Sequence, residues 1–151
     1  MASKTLVPID LADMETSARV LAAGVDHAKQ QKNDIVVMTV VPNMVTGIDF
    51  RYAIRGEMGG SEEYDLKAIL QDTLERLNEV IAEHLPKGMK AETIVKHGSV
   101  YEEILETADE LKADQIVIGA HRPQLSDYLL GPNTSRVVRH AKCSVNVVRL
   151  Q

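Results

Sequence analysis

The segment from residue 114 to residue 150, DQIVIGAHRPQLSDYLLGPNTSRVVRHAKCSVNVVRL, decides the fold. It opens with the apolar run DQIVIGA, ends with the apolar run CSVNVVRL, and holds the stretch NTSRVVRHAK before the second run. Apolar runs of this length predict buried strands, and the stretch between them predicts a short helix. A strand, a helix and a second strand in this order predict two parallel strands joined by a crossover.

The rest of the chain repeats this alternation of short apolar runs with helix-forming segments. Near-continuous apolar strands that alternate with helices predict a parallel β-sheet covered by helices on both faces. The length of 151 residues predicts a single domain over residues 1–151. Further strands are predicted over residues 4–10, 34–41 and 90–98, and helices over residues 14–31, 61–85 and 99–113.

Two of the predicted helices carry capping signals. Asp13 or Thr16 is expected to cap the first helix, because short polar side chains satisfy the free N–H groups there. Ser99, followed three residues later by Glu102, forms the pattern of a capping box. Helical spacing predicts that the first helix buries Ala18, Leu21, Ala22, Val25 and Ala28.

The composition argues against several classes of function. A net charge of −5 argues against binding to a phosphate backbone, and 3% aromatic residues without Trp leave no stacking platform for single-stranded nucleic acid. The single cysteine, Cys143, suits a reducing compartment, and no apolar window reaches the length of a signal peptide or a membrane span. We expect a cytoplasmic protein that binds no nucleic acid.

Residues 43–61 interrupt the alternation of strands and helices. Four glycines punctuate this segment, and its apolar residues follow neither helical nor strand periodicity. Irregular connections of this length are uncommon and often have a function. The segment is long enough to close as a lid over a ligand, and its closure is a hypothesis that the sequence leaves open.

The segment GAHRPQLSDYLLGPNTSR, residues 119–136, has the features of an anion site. It follows a predicted strand directly, and open parallel sheets bind ligands at the carboxyl ends of their strands. Gly131 permits a close approach of the backbone, and the helix after it points free N–H groups at a phosphate. Further hydrogen-bond donors are available from His121, Arg122, Asn133, Thr134 and Ser135.

Asp10, at the end of the first predicted strand, has two interpretations. Its carboxylate can accept a hydrogen bond from a base or a ribose hydroxyl, or contact Mg²⁺ that phosphates hold. Aspartate is also common at turns and helix caps, so a purely local role is the alternative.

Several common site motifs are missing from the sequence. Neither G-x-x-x-x-G-K-S/T nor G-x-G-x-x-G occurs, so two frequent nucleotide-binding folds lose support. The histidines lack H-E-x-x-H spacing and have no cysteine pair nearby. We therefore expect no metal site built from protein side chains alone.

Four blocks of the sequence carry a resemblance to a known family. They are VPIDLAD (7–13), VVMTVVP (36–42), HGSVYEEILETADELKADQIVIGAHR (97–122) and LLGPNTSRVVRHAKCSVNVVR (129–149). Through them the chain resembles the universal stress protein family over essentially its whole length. The resemblance implies five parallel strands in the order 3-2-1-4-5, in a Rossmann-like three-layer sandwich similar to the adenine nucleotide alpha hydrolases.

The nucleotide-binding branch of that family carries Gly, two residues, Gly, nine residues, then Gly and a hydroxyl residue. Gly119 and Gly131 match the outer glycines, but Arg122 stands at the second position and the longer interval is one residue short. Pro132 replaces the hydroxyl residue. The form HRP…YLLG nevertheless resembles a subgroup that binds ATP, so Arg122 is expected to replace lost backbone contacts, and Thr134 or Ser135 the missing hydroxyl.

Carried over residue by residue, the resemblance implies an adenine nucleotide site. The implied ligand is ATP, with Mg²⁺ on its phosphates. The implied contacts are Pro8, Ile9, Asp10 and the backbone of Val41 for adenine and ribose, Gly119, His121 and Arg122 for ribose and phosphates, and Gly131, Asn133, Thr134 and Ser135 for the phosphate pocket.

The resemblance implies a regulator that reports nucleotide occupancy, and no catalytic residue is assigned. The last strand, residues 143–150, lies at the predicted sheet edge, and the resemblance implies a homodimer or higher oligomer through it. Some family members accompany a membrane transporter, so an osmolyte transporter is a candidate partner. Two alternatives stand beside this reading: a slow ATP hydrolase or phosphotransferase, and a nucleotide-free interaction module in which Arg122 and Pro132 mark a lost motif.

Overall fold

The computed structural model describes residues 3–42, 61–120 and 131–149, apart from the side chains of residues 61–65. The segment hypothesised as a lid, residues 43–61, lies outside the described residues except for residue 61, and so does the loop over residues 121–130. Within the described ranges, strands and helices alternate in the predicted order. They are β1 (Lys4–Pro8), α1 (Met14–Gln31), β2 (Asp34–Pro42), α2 (Ser61–His84), β3 (Ala91–Gly98), α3 (Val100–Leu111), β4 (Gln115–Gly119), α4 (Pro132–His140) and β5 (Ser144–Val148).

The five strands form one parallel sheet in the order β3-β2-β1-β4-β5, which confirms the predicted fold class. β1 lies in the middle and pairs with β2 on one side and with β4 on the other. The chain builds outward from β1 to β3 and then returns to add β4 and β5 on the opposite side. Strand order therefore reverses between β1 and β4, which is where such sheets form a ligand crevice.

Two hydrophobic clusters cover the two faces of the sheet. Leu6 and Val7 are neighbours in β1, both 0% exposed, yet they belong to different clusters because successive side chains of a strand point to opposite faces. The cluster around Val7 includes α1 and α2, and the cluster around Leu6 includes α3 and α4. Burying each such side chain contributes about 1.5–3 kcal/mol, which holds the helices on both faces.

Helix α1 packs on the sheet through a face that differs in part from the predicted one. Ala22 is exposed, so its predicted burial is wrong. The helix approaches β1 closely at Gly24, where an added Cβ would lie 2.5 Å from Cγ2 of Val7. A close approach of helix and strand requires a small residue at the contact. A prediction based on hydrophobicity alone does not place such a residue on the buried face. The buried residues are Ser17, Val20, Leu21, Gly24, Val25 and Ala28.

One predicted helix cap forms and the other does not. Asp13 is the N-cap of α1, and its Oδ1 accepts a hydrogen bond from the N–H of Thr16 at 3.3 Å. Ser99 is the N-cap of α3, but its side chain makes no capping hydrogen bond, so the predicted capping box with Glu102 is wrong. The first intrahelical bond of α3 runs from the N–H of Glu103 to the carbonyl of Ser99 at 2.9 Å.

β5 is an edge strand of the sheet, as predicted. Val145 and Val147 pack against the cluster of α3 and α4, whereas Val148 packs against the opposite cluster beside α1. The polar residues Ser144 and Asn146 are exposed. Among the helices in the described ranges, none combines the length and apolarity that crossing a bilayer requires.

Candidate functional site

A cavity of about 300 Å³ lies at the carboxyl ends of β1 and β4, where strand order reverses. This is the position that the sequence analysis predicts for a ligand site. Apolar side chains form most of its wall, as in most small-molecule sites. The apolar lining consists of Pro8, Ile9, Val20, Val40, Pro42, Val100, Ile104, Ile118 and Ala120.

A serine of α1 holds the corner between β1 and α1. The N–H of Asp10 donates to Oγ of Ser17 at 3.1 Å, and the same hydroxyl donates to the carbonyl of Asp10 at 2.7 Å. The carbonyl of Asp10 also accepts from the N–H of Asp13 at 3.0 Å. Ser17 is 1% exposed, so these bonds satisfy a buried hydroxyl and fix the backbone of Asp10 at the cavity wall.

The carboxylate of Asp10 has the local role that was the alternative interpretation. Its Oδ1 accepts a hydrogen bond from the N–H of Ala12 at 2.9 Å. Asp10 is nevertheless exposed and belongs to the cavity lining. A carboxylate offers about four acceptor positions, so one backbone bond is compatible with a contact to a ligand hydroxyl.

The end of β2 forms a second part of the wall. The hydroxyl of Thr39 donates to the carbonyl of Ile9 at 2.9 Å, and the N–H of Ile9 donates to the carbonyl of Met38 at 2.9 Å. These bonds tie the two strand ends together. Val40 and Pro42 line the cavity, whereas Val41, which is 8% exposed, does not belong to the described lining.

The junction of β4 and α4 forms the third part of the wall. Thr134 is 7% exposed, and its hydroxyl donates to the carbonyl of Gly119 at 2.8 Å. Both residues line the cavity. The resemblance implies that Thr134 or Ser135 offers the missing hydroxyl to a phosphate. In this structure the hydroxyl of Thr134 donates to the carbonyl at the end of β4.

The start of α4 has features that suit the binding of an anion. Gly131 is the N-cap with φ 90° and ψ 155°, a conformation that L-residues rarely adopt, and Pro132 occupies the first turn. The first intrahelical bond runs from the N–H of Ser135 to the carbonyl of Gly131 at 3.0 Å. The N–H groups of Asn133 and Thr134 therefore precede the intrahelical ladder, at the positive end of the helix dipole.

The structure brings several of the predicted site residues to one cavity. Gly131 and Ser135 bracket the helix start but do not belong to the described lining, and Ser135 is exposed. His121 and Arg122 lie outside the described residues. The predicted residues that line the cavity are Pro8, Ile9, Asp10, Gly119, Asn133 and Thr134.

Two buried hydroxyl residues of the wall, Ser17 and Thr39, are absent from the sequence-based prediction of the site. Both are buried and both bond to the backbone next to the end of β1. For Thr39 the sequence did contain a signal, since it is a hydroxyl residue within the otherwise apolar, buried run of β2. Ser17 lies among exposed and half-buried polar residues near the start of α1, and no such pattern marks it. A buried hydroxyl needs a partner, and strand ends expose carbonyl groups.

The charges of the described lining are negative. Asp10 and Asp13 contribute carboxylates, and the described lining contains no Lys or Arg. The positive end of α4 is the counterpart on the same wall. Across the described ranges, no group of three or more His, Cys, Asp or Glu side chains is arranged to hold a metal ion.

The fold and the cavity define a parallel α/β domain with a cavity at its strand switch point. The chain belongs to the universal stress protein family, whose profile matches residues 1–149. Universal stress protein G of Escherichia coli O157:H7 is 33% identical over 150 residues, 97% of this chain and 99% of that protein. Universal stress protein YxiE of Bacillus subtilis (strain 168) is 34% identical over 161 residues, 99% of this chain and 100% of that protein.

Solved structures share the fold at low sequence identity. Universal stress protein UspA from Lactobacillus plantarum superimposes with a TM-score of 0.67 at 21% identity and 97% coverage of each chain. A universal stress protein in complex with cAMP gives 0.62 at 19% identity, covering 99% of this chain and 98% of that chain. The universal stress protein from Archaeoglobus fulgidus in complex with dAMP gives 0.53 at 19% identity and 96% coverage of each chain.

Proposed function

We propose that the cavity binds ATP and that the protein is a regulator whose state follows nucleotide occupancy. The observation that carries the proposal is the presence of Asp10 and the start of α4 on the wall of one cavity at the strand switch point. A helix N-terminus suits phosphates, and a carboxylate suits sugar hydroxyls. The complexes of two proteins of this fold with cAMP and dAMP support an adenine nucleotide as the ligand.

Each part of the wall has a role in this proposal. Pro8 and Ile9 contact the base, together with the backbone of Val41, and Asp10 accepts a hydrogen bond from the ribose. Thr134 contributes its backbone N–H because its hydroxyl is engaged. The other groups proposed around ribose and phosphates are Gly119, His121, Arg122, Gly131, Asn133 and Ser135.

Mg²⁺ accompanies the phosphates in this proposal. Mg²⁺ prefers oxygen ligands and keeps several waters, so phosphate oxygens and water would supply most of its coordination. Asp10 is the carboxylate of the cavity lining that we propose to approach it. The ion would neutralise phosphate charge beside the two aspartates of the wall.

The proposed output passes through β5 to a second copy of the chain. The N–H of Ala120, in the cavity wall, donates to the carbonyl of Val148 at 2.9 Å, so the wall and the edge strand are bonded directly. Exposed strand edges pair readily with other chains. We propose a homodimer or higher oligomer through residues 143–150, located in the cytoplasm, with a membrane solute transporter as a candidate partner.

The described lining favours regulation over catalysis. ATP hydrolysis requires a group that positions or deprotonates water, together with charge stabilisation of the transferred phosphoryl group. The described wall offers two aspartates and no Glu, Gln, Lys or Arg. We therefore expect at most slow turnover of bound ATP.

The first experiment is to denature the purified protein and quantify the nucleotides that it releases, and then to measure ATP binding by calorimetry. Asn133→Asp is the key variant, because it places a carboxylate at the proposed phosphate position while favouring the helix start. Gln30→Glu is the matched control. It makes the same amide-to-carboxylate change at an exposed site on α1. That site is 13 residues, and thus roughly 20 Å along the helix, from Ser17, which lines the cavity.

We expect stoichiometric binding of ATP by the wild type and by Gln30→Glu, and a loss of about tenfold or more in affinity in Asn133→Asp. Accumulation of ADP at a steady rate would point to the hydrolase instead. No released nucleotide and no ATP uptake by the wild type would contradict the proposal and favour the nucleotide-free interaction module.

A further inference from the structure

Ser17 makes more polar contacts to one neighbour than helix packing requires. Its hydroxyl accepts from the N–H of Asp10 at 3.1 Å and donates to the carbonyl of Asp10 at 2.7 Å. Both backbone groups of the residue proposed to contact the sugar are therefore held by a single side chain. Ser17 is 1% exposed and lines the same cavity as Asp10.

We infer that Ser17 is a positioning residue that orients the carboxylate of Asp10 toward the sugar hydroxyls of the bound nucleotide. This inference rests on the proposed function and deepens it, because it names the feature of the ligand that the site reads. That feature is the pair of 2′- and 3′-hydroxyls of a ribonucleotide, and not the base or the phosphates.

The geometry leaves Asp10 with little freedom once Ser17 is in place. The carbonyl of Asp10 also accepts from the N–H of Asp13 at 3.0 Å, and its Oδ1 accepts from the N–H of Ala12 at 2.9 Å. The backbone of Asp10 is thus fixed from α1, and its carboxylate is fixed from the turn. A hydrogen bond from a ligand hydroxyl to a carboxylate weakens steeply when distance or angle departs from the optimum.

The preference of the protein for ribonucleotides over deoxyribonucleotides distinguishes a positioning role of Ser17 from a merely structural one. A variant that loosens the whole domain weakens the binding of all nucleotides by a similar factor. A variant that misplaces Asp10 weakens ribonucleotide binding more than deoxyribonucleotide binding, because only the former offers both hydroxyls. The ratio of dissociation constants for 2′-dATP and ATP is therefore the informative quantity.

The experiment measures ATP, 2′-dATP and 3′-dATP binding by calorimetry in the wild type, Ser17→Ala, Asp10→Asn and the double variant. Asn33→Ala is the matched control, because it removes a side-chain hydrogen bond of 3.0 Å, from Asn33 to Thr5, at the opposite end of α1. We expect the wild type to prefer ATP over each deoxynucleotide by about tenfold, the scale of a hydrogen bond to a charged group. Ser17→Ala should bring this ratio to within about twofold of one, and Asn33→Ala should leave it unchanged.

The double variant tests whether Ser17 acts through Asp10. In the Asp10→Asn background, Ser17→Ala should change the ratio no further, because groups that act through each other are not additive. If Ser17→Ala does not yield folded protein, Ser17→Cys takes its place, since a thiol of similar size is a much weaker donor and acceptor. A wild-type ratio near one, or a ratio unchanged in the Ser17 variant while ATP still binds, overturns this inference and leaves the proposed function standing. No ATP binding by the wild type overturns both.

Discussion

The hydroxyl of Thr134 donates to the carbonyl of Gly119 over 2.8 Å and joins the first turn of α4 to the end of β4, 15 residues earlier. Both residues line the cavity, so this bond sets the distance between the strand end and the helix N-terminus. The next residue, Ala120, donates its N–H to the carbonyl of Val148 at 2.9 Å. The cavity wall and the edge strand therefore share one hydrogen-bonded junction.

Replacement of Thr134 by valine should destabilise the junction. Thr134→Val keeps the shape of the side chain but removes the donor, so we expect the free energy of unfolding to fall by about 1–2 kcal/mol in urea denaturation. Thr134→Ser is the control: it keeps the hydroxyl and loses one methyl group, which costs about 0.8 kcal/mol. Equal stability of Thr134→Val and the wild type would show that this bond contributes nothing.

Gly131 should tolerate alanine poorly, because its φ is 90°. We expect Gly131→Ala to cost about 1–3 kcal/mol of unfolding free energy, measured by denaturation, and to weaken ATP binding as well. Gly88 is a matched control, since its φ is 88° and an added Cβ there would meet no atom within 4 Å. Gly88→Ala should lower stability to a similar extent and leave ATP affinity unchanged. A loss of affinity in both variants would mean that stability alone explains the effect at Gly131.

Lys32 and Lys112 end α1 and α3 in the left-handed conformation, with φ of 60° and 54°. Glycine adopts this conformation without the steric cost of a Cβ, so Lys32→Gly and Lys112→Gly should each raise the free energy of unfolding by about 0.5–1 kcal/mol. The contrasting variant is Lys29→Gly, inside the last turn of α1, which should lower stability by about 1 kcal/mol. Destabilisation by all three would contradict the cap assignment.

Cys143 should react slowly with alkylating reagents. Burial raises the pKa of its thiol, and the nearby carboxylates of Asp109 and Asp114 raise it further, so less of the reactive thiolate is present at pH 8. We expect slower reaction with iodoacetamide in the folded protein than in urea, and faster reaction in Asp109→Asn. Asp26→Asn, an exposed change on α1, is the control and should react like the wild type.

The raised pKa of the Cys143 thiol also makes the stability of the protein depend on pH. The folded state holds the thiol proton more tightly than the unfolded state, so the stabilisation from this group is fully present below the unfolded pKa. It is lost as pH rises through the raised pKa of the folded state. A rate of alkylation that is the same in the folded and unfolded protein at every pH would contradict the shift.

The sequence was sufficient to predict most of the fold, because each apolar run is continuous enough to predict a buried parallel strand. The runs around Leu6, Val36 and Val117 are buried on both faces, which is typical of a parallel sheet between two helical layers. The sequence also predicted much of the cavity wall, because the carboxyl ends of parallel strands meet at one edge. Gly119, Asn133 and Thr134 were placed there by their position after a strand.

The tertiary structure decided what each polar group bonds to. The capping box at Ser99 follows a local pattern, but its side-chain hydrogen bond is not made. The hydroxyl of Thr134 donates to the carbonyl of Gly119, at the end of the strand that precedes α4. The exposure of Ala22 also follows from tertiary packing, because α1 contacts β1 through the face that holds Gly24, close to Val7.

By itself, the sequence determined the order of the elements, the parallel sheet and the edge at which the cavity forms, because these depend on apolar periodicity along the chain. Only the tertiary structure decided that Ser17 holds Asp10, that Thr39 holds Ile9 and that Thr134 holds Gly119. Hydrogen bonds depend on distance and angle between groups that are far apart in the chain or on different elements. Those distances exist only once the helices have packed on the sheet.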